Sequence, residues 1–325
     1  MGAKVDTIPR PRLVISKCLG FDHCRYDGSI IPDPVVDSLR PWVEFIPVCP
    51  EVELGLGAPR PPVRLVRVGG EVRLLQPATG RDLTEAMRAF AASFLDGLPP
   101  VDGFLLKNRS PSCGIKDVKV YAGPEKSPAV GTGPGMFGGA VRARFPDLPL
   151  EDEGRLTNRA LREHFFTAIF ALARLREVVS TGQMGALVDF HTRHKFLLMA
   201  YNQARLHELG RLVANPQRRP VGEVMEAYVA GFRAALAHPP RRPSVVNALM
   251  HALGYVSDGL TPAEKGYFLD LLTAYREGRV PLSAPLSVLR AWVLRFGEPY
   301  LSVQTFLSPF PEALLSLRDS GRGEL

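Results

Sequence analysis

Three of the four cysteines in this 325-residue chain stand in short, unlike motifs far apart in sequence: Ser16-Lys17-Cys18-Leu19-Gly20, Pro47-Val48-Cys49-Pro50-Glu51 and Ser110-Pro111-Ser112-Cys113-Gly114. Thiolates are soft ligands, and four of them normally hold an iron–sulfur cube. Three leave one iron without a protein ligand, which turns the cluster from an electron carrier into a centre that can act on a substrate. Two other readings of the same residues stay open. All four cysteines could hold a structural zinc, although Cys18 and Cys24 lie six apart rather than in a tight Cys-x-x-Cys knuckle. Cys113 beside Ser110 could be a bare thiolate nucleophile, which leaves the other two motif cysteines without a task. Cys24, in His23-Cys24-Arg25-Tyr26-Asp27-Gly28, has no role that spacing assigns.

The elements around these residues place them. Leu13-Val14-Ile15-Ser16 reads as a short buried strand ending near Cys18, and Trp42 to Val48 as a second ending at Cys49. Val101 to Lys107 reads as a third, followed by Cys113. Leu83 to Leu98 has helical spacing, with Ala86, Phe90, Phe94 and Leu95 on or near one face. Strand and helix alternation predicts an α/β layer with a parallel sheet, and such sheets gather ligands beyond the carboxyl ends of their strands. The glycine-dense run Gly131 to Gly139 has no preceding strand at the right distance and no Lys-Ser/Thr after it. It therefore reads as a connection or a loop over the site rather than a phosphate loop.

The pattern changes near residue 150, which predicts two domains, 1–150 and 151–325. The second reads as all-α. Helices are expected over 161–179, 187–213, 221–236, 245–253, 262–277 and 285–296, the fifth opened by the capping sequence Thr261-Pro262-Ala263-Glu264. On the expected 187–213 helix, His191, Lys195, Asn202 and Arg205 fall near one stripe. That stripe is either a solvated face or a surface for phosphates and bases. His191 and His194 lack a third ligand for a metal site. Two loops carry paired arginines, Arg218-Arg219 and Arg241-Arg242.

Composition is that of a soluble globular protein, 46% hydrophobic and 22% charged, and the net charge is +7, spread over both halves. That excess permits a nucleic-acid partner without requiring one. No apolar run is long enough to cross a bilayer, and the first ten residues lack the apolar core of a signal peptide, so the cytoplasm is the expected compartment. In a reducing compartment cysteines serve metals or catalysis more often than disulfides.

The first half resembles the thiouracil desulfidase (TudS) family through the three cysteine motifs, Arg25-Tyr26-Asp27-Gly28, the Gly55 to Pro59 turn with Arg60, and Leu106-Lys107. The second half resembles the YbgA-type helical domain through Phe190-His191-Thr192-Arg193-His194-Lys195, Met199-Ala200-Tyr201 and Tyr300-Leu301-Ser302-Val303-Gln304. The combination is similar to the bacterial RNA desulfidases that remove sulfur from 4-thiouridine in tRNA. The resemblance implies a [4Fe–4S] cluster on Cys18, Cys49 and Cys113 with one iron free of protein ligands. It implies Glu51 for acid–base work and Ser110 for contact with the substrate. The partner it implies is thiolated tRNA, with no obligate protein partner; the helical stripe and the paired-arginine loops offer His191, Lys195, Arg205, Arg218 and Arg219 as the residues to meet it. Cys24 departs from the pattern of the stand-alone enzymes and is a possible accessory to the metal. A desulfidase of free thiouracil or thionucleotides, and a non-catalytic iron–sulfur sensor, are the competing functions.

Overall fold

The computed structural model describes residues 8–315. Its strands are β1 (Arg12–Ser16), β2 (Glu44–Val48), β3 (Arg64–Val68), β4 (Glu71–Gln76), β5 (Arg81–Asp82), β6 (Gly103–Leu106), β7 (Val118–Tyr121), β8 (Ala129–Gly133) and β9 (Leu150–Asp152). Four helices lie among them: α1 (Pro34–Leu39), α2 (Pro50–Glu53), α3 (Thr84–Asp96) and α4 (Met136–Arg144). The rest of the described chain holds α5 (Arg159–Thr181), α6 (Met184–Arg193), α7 (Lys195–Tyr201), α8 (Gln203–Ala214), α9 (Val221–Ala235), α10 (Arg242–Gly254), α11 (Pro262–Arg276), α12 (Ser283–Phe296) and α13 (Pro299–Ser302). The chain divides into two units, one running through Phe165 and resuming at Ala313, the other from Phe166 to Glu312. No described helix is long and apolar enough to cross a membrane.

The predicted parallel sheet is present, in the order β2-β1-β6-β9, all pairs parallel. Leu13, Val14 and Ile15 of β1 and Phe104, Leu105 and Leu106 of β6 are fully buried. Covered on both faces, these strands show an unbroken apolar run instead of alternation. The three strands expected to end at a motif cysteine are therefore neighbours. A second, mixed sheet, β5-β4-β3-β7-β8, was not expected. Its strands are short and carry exposed charge at Arg67 and Glu71, which hides their pattern. The legible trace of it is Gly69-Gly70 between β3 and β4, both at positive φ (58° and 89°), the chemistry of a tight hairpin turn.

Two expectations are corrected. The glycine-dense run is not a loop over the site, because β8 ends inside it at Gly133 and α4 begins inside it at Met136. The helix expected over 187–213 is three helices, broken at His194 and Asn202. Asn202 is extended (φ −159°), and its side chain caps α8 by accepting from the Arg205 amide at 3.1 Å, a position Asn favours. At the first break the Gln304 side chain takes the place of helical hydrogen bonds, accepting from the Phe196 amide at 3.3 Å and donating to the Thr192 carbonyl at 2.9 Å. A partner more than a hundred residues away leaves no local signal.

His194 sits in this break, buried and stacked on Phe190 at 3.8 Å. Its Nδ1 bonds the Phe190 carbonyl at 2.7 Å, and its Nε2 has no hydrogen-bond partner. Burial pushes its pKa down to about 3, so the ring is neutral in the folded state and gains a proton on unfolding. The stabilisation is complete above the unfolded value near 6.5 and is lost as pH falls from there towards 3. Its ceiling is about 5 kcal/mol, the shift converted at about 1.4 kcal/mol per pH unit. Thermal melts between pH 7 and pH 4 should show steep acid lability in the parent and a flatter profile in His194→Phe. Parallel profiles would remove His194 as the cause.

Candidate functional site

Cys18 lies in the turn after β1, Cys49 directly after β2, and Cys113 in the loop after β6. Because β2, β1 and β6 are adjacent and parallel, the three cysteines meet at one sheet edge. Cys49 and Cys113 are buried, Cys18 is half-buried, and none is in a disulfide. Cys24 joins them, 2% exposed, with its thiol against the sulfurs of both Cys18 and Cys49.

Contact with the Cys18 thiol, followed by burial, pushes Cys24 up to about 11. Burial pushes Cys113 up to about 12, opposed by the hydroxyls of Ser16 and Ser110. The Cys24 thiol and burial push Cys49 higher still. Such thiols stay protonated at neutral pH unless a cation supplies the missing charge, and metal binding then releases their protons. A buried, all-sulfur donor set at the end of a rigid sheet fits a soft iron–sulfur group. Among the described residues, no three His, Cys, Asp or Glu side chains are arranged as a site for a single metal ion.

Glu51 occupies the first turn of α2 and is buried. Both its oxygens are engaged. Arg60 Nε and Nη2 each reach Oε2 at 2.8 Å, and the Ser112 hydroxyl donates to Oε1 at 2.8 Å. Arg60 Nη1 also donates to the carbonyls of Cys24 at 2.9 Å and Gly57 at 2.7 Å. This guanidinium thus binds the Cys24 segment, the Gly57 turn and Glu51 together, a use of the planar fork that Lys could not reproduce. Ser110, singled out from sequence, is not hydrogen-bonded to Glu51. Its Oγ accepts from the amides of Ser112 at 3.3 Å and Cys113 at 3.0 Å and faces the Cys113 sulfur. Sequence reasoning missed Ser112, and it missed the ion-pairing role of Arg60. The Arg60 signal was its place beside the Gly55 to Pro59 turn. Ser16 was also missed. Its Oγ accepts from the Lys107 amide at 2.8 Å, tying the ends of β1 and β6 beside Cys113.

The glycine run seats this loop. The amides of Gly135, Met136 and Phe137 donate to the carbonyls of Gly114, Pro111 and Ser112 at 2.8, 3.0 and 2.9 Å. A Cβ on Gly135 would meet the Ser112 oxygen at 2.6 Å, and one on Gly138 the Gly114 oxygen at 2.3 Å. Only glycine allows backbone to approach backbone this closely. The amides that open α4 are thereby spent on protein carbonyls, which also disposes of a phosphate loop.

The residues expected to meet RNA are placed differently from one another. Lys195 is exposed. His191 is half-buried, with Nδ1 3.1 Å from the Tyr228 hydroxyl. Arg205 pairs with Glu208 at 2.7 Å and Arg219 with Glu223 at 3.5 Å. Arg218 adopts positive φ (53°) in its loop. With Asn202 used as a cap, the stripe is not one continuous face.

The 2-thiouracil desulfurase family matches residues 13–153, and a family described as a protein of unknown function (DUF1722) matches residues 195–311. The uncharacterized protein YbgA of Escherichia coli (strain K12) is 31% identical over 155 residues, which are 47% of this chain and 91% of that protein. The uncharacterized protein YbbK of Bacillus subtilis (strain 168) is 32% identical over 109 residues, 31% of this chain and 72% of that protein. A solved structure, that of the [4Fe-4S]-dependent thiouracil desulfidase TudS, is 27% identical and aligns with 45% of this chain and 93% of its own, at a TM-score of 0.36. The chain belongs to the YbgA and YbbK families, and it joins a domain of the 2-thiouracil desulfurase type to a DUF1722 domain.

Proposed function

We propose that this protein is a [4Fe–4S]-dependent desulfidase that hydrolyses the C–S bond of a thiolated uracil, releasing sulfide, and that its substrate is 4-thiouridine in tRNA. The observation that carries the reading is the convergence of Cys18, Cys49 and Cys113 at one sheet edge, with Glu51 held by Arg60 and Ser112 two residues after Cys49. Those three cysteines hold the cluster. When bound, it supplies a soft Lewis-acid iron that accepts the thiocarbonyl sulfur and leaves the ring carbon electrophilic.

The remaining steps belong to the chain. Glu51 takes a proton from the water that attacks the ring carbon and returns it to a ring nitrogen as the C–S bond breaks. Arg60 fixes Oε2, so the proton is handled at Oε1, where Ser112 sets the direction of approach. Ser110 holds the Cys113 peptide in place. Water replaces sulfur as C=S becomes C=O, and no net redox change is required. A reducing cytoplasm suits a centre of this kind.

The tRNA reading is supported by the +7 charge, the exposed Lys195 and the basic Arg218-Arg219 loop. A base in tRNA is stacked and has to be exposed before it reaches a buried site, so binding the surrounding backbone gives the helical unit a task. The description of the family matching residues 13–153 favours a second reading, action on free 2-thiouracil with a structural helical unit. Anaerobic protein reconstituted with iron and sulfide, incubated with thiolated tRNA and separately with 2-thiouracil, distinguishes them by nucleoside analysis and sulfide assay. Loss of 4-thiouridine from tRNA supports the first. Turnover of the free base alone replaces it with the second. A loaded cluster with no sulfide from either substrate leaves a sensor.

Phosphate contacts release counterions, so tRNA affinity should fall steeply with salt. Filter binding of Lys195→Ala/Arg205→Ala should show weaker binding and a log–log salt slope shallower by about one to two. Turnover of free thiouracil should be unchanged. Equal affinity of parent and double variant at every salt concentration would make this face a solvated surface.

A further inference from the structure

We propose that Tyr255 and Tyr300, in the helical unit, form a stacking platform for an unpaired RNA base, with Lys195 there to meet a phosphate of the same strand. The proposal rests on the tRNA reading above and deepens it by naming where the RNA is held.

Three elements far apart in sequence build the platform. Phe196 lies in the first turn of α7, Tyr255 caps the end of α10, and Tyr300 lies in α13. The rings of Tyr255 and Tyr300 stack, with centroids 5.2 Å apart and planes 25° from parallel. The Phe196 ring meets Tyr255 at 6.0 Å and 76° and Tyr300 at 6.2 Å and 59°. Phe196 is buried, so it ties the pair to the core. Its amide is held by Gln304, in the segment that follows Tyr300, so the contact that seals the break at His194 also fixes these rings. Tyr255 still stays 48% exposed and Tyr300 half-buried. A ring already held by two others has little rotamer freedom left to lose, so a flat ligand binds it at a small ordering cost.

The charges at hand select the ligand. Lys195, the residue before Phe196, is exposed and has no carboxylate partner among the described residues. Arg193, Arg205 and Arg219 of the same unit are each paired with one. His251, also exposed, lies one turn before Tyr255 on α10. The Glu298 carboxylate is spent on capping α13, where it accepts from the Leu301 amide. An open aromatic face beside an unpaired cation suits a ligand that is flat and carries negative charge, which describes a nucleotide. Bases stack on such a ring whatever their identity, and the cation takes the backbone. Transfer RNA offers unstacked bases in its loops and next to any base that has been extruded. The base held here is one other than the thiolated one, which goes to the cysteines.

Filter binding of the full-length protein to unmodified tRNA tests this without turnover, which separates it from the desulfidase reading. Tyr255→Leu keeps apolar bulk against Tyr300 and Phe196 and removes the flat face. Tyr255→Phe keeps the face and removes the hydroxyl. Tyr255→Leu should weaken binding by about five- to a hundredfold, the scale of one lost stacked base, while Tyr255→Phe stays near the parent. Tyr300→Leu, made in parallel and checked with the others by thermal melt, should weaken binding in the same sense. Stacking releases no counterions, so the salt slope of Tyr255→Leu should match that of the parent, unlike the slope of the Lys195 variant. The loss should also appear with a single-stranded RNA and vanish when that strand is annealed to its complement. Equal affinity of the parent and both Leu variants would overturn the proposal. So would Tyr255→Phe binding as weakly as Tyr255→Leu, because the hydroxyl would then carry the contact. A parent oligomer that Tyr255→Leu dissociates would make this face a contact between copies of the chain, which overturns it as well. A parent that binds no tRNA at any salt concentration would remove the RNA reading and the platform with it.

Discussion

Anaerobically purified protein will be brown, and Cys18→Ala, Cys49→Ala and Cys113→Ala will each lose most of their iron and all desulfidation. The size of the effect follows from the sheet edge. Each motif cysteine follows a different strand, β1, β2 or β6, so the three lie on three separate loops. Two thiolates hold a cube poorly, and the vacated position at Cys113 is buried, which keeps water from replacing the sulfur well. Cys24→Ala should retain iron under the same anaerobic purification. Iron and sulfide per chain, with the visible spectrum, give the answer. Full iron retention in any two of the three ligand variants would remove the assignment.

Glu51→Gln should leave iron content unchanged and lower turnover by about a hundredfold or more, the usual scale for a lost acid–base group. The amide also presents an N–H where Arg60 expects an oxygen, or else turns and breaks the Ser112 bond. Unpairing a buried guanidinium costs on the order of 3–5 kcal/mol when its partner is removed outright. The measurement must therefore pair kcat with iron content and a thermal melt. A folded, iron-loaded variant with near-normal kcat would move the proton to another carboxylate, Asp27 or Glu53. Both are exposed, and Asp27 is already bonded to the amide and hydroxyl of Ser29. Ser110→Ala should have a milder effect than Glu51→Gln.

What the chain disclosed in advance divides by range of interaction. The apolar runs Leu13-Val14-Ile15 and Phe104-Leu105-Leu106 were readable because a buried parallel strand shows itself within five residues. The helical half was readable for the same local reason, down to the Thr261–Glu264 capping box, which the structure contains. The break at His194 was not, since Gln304 and Thr305 hold the other side of it. Nor was the choice between Ser110 and Ser112. The two lie in one five-residue motif, and only the path of the loop turns Ser112 towards Glu51. The second sheet was missed because its exposed faces carry charge where a buried strand would carry Val or Leu. Gly135 and Gly138 looked like slack, and they are instead the positions of closest approach.

Those two glycines carry a consequence for reading phenotypes. The loop bearing Cys113 hangs by its carbonyls from the amides of α4, with no room between the two backbones for a methyl group. Any residue larger than glycine at 135 or 138 must push the loop, and the loop carries a sulfur with it. A colourless protein recovered from a random screen can therefore bear its lesion more than twenty residues downstream of Cys113, with every thiol intact. Inheritance of the brown colour will map to a stretch of chain that never meets iron, and the cofactor's hold on the protein will look, genetically, like a property of helix packing.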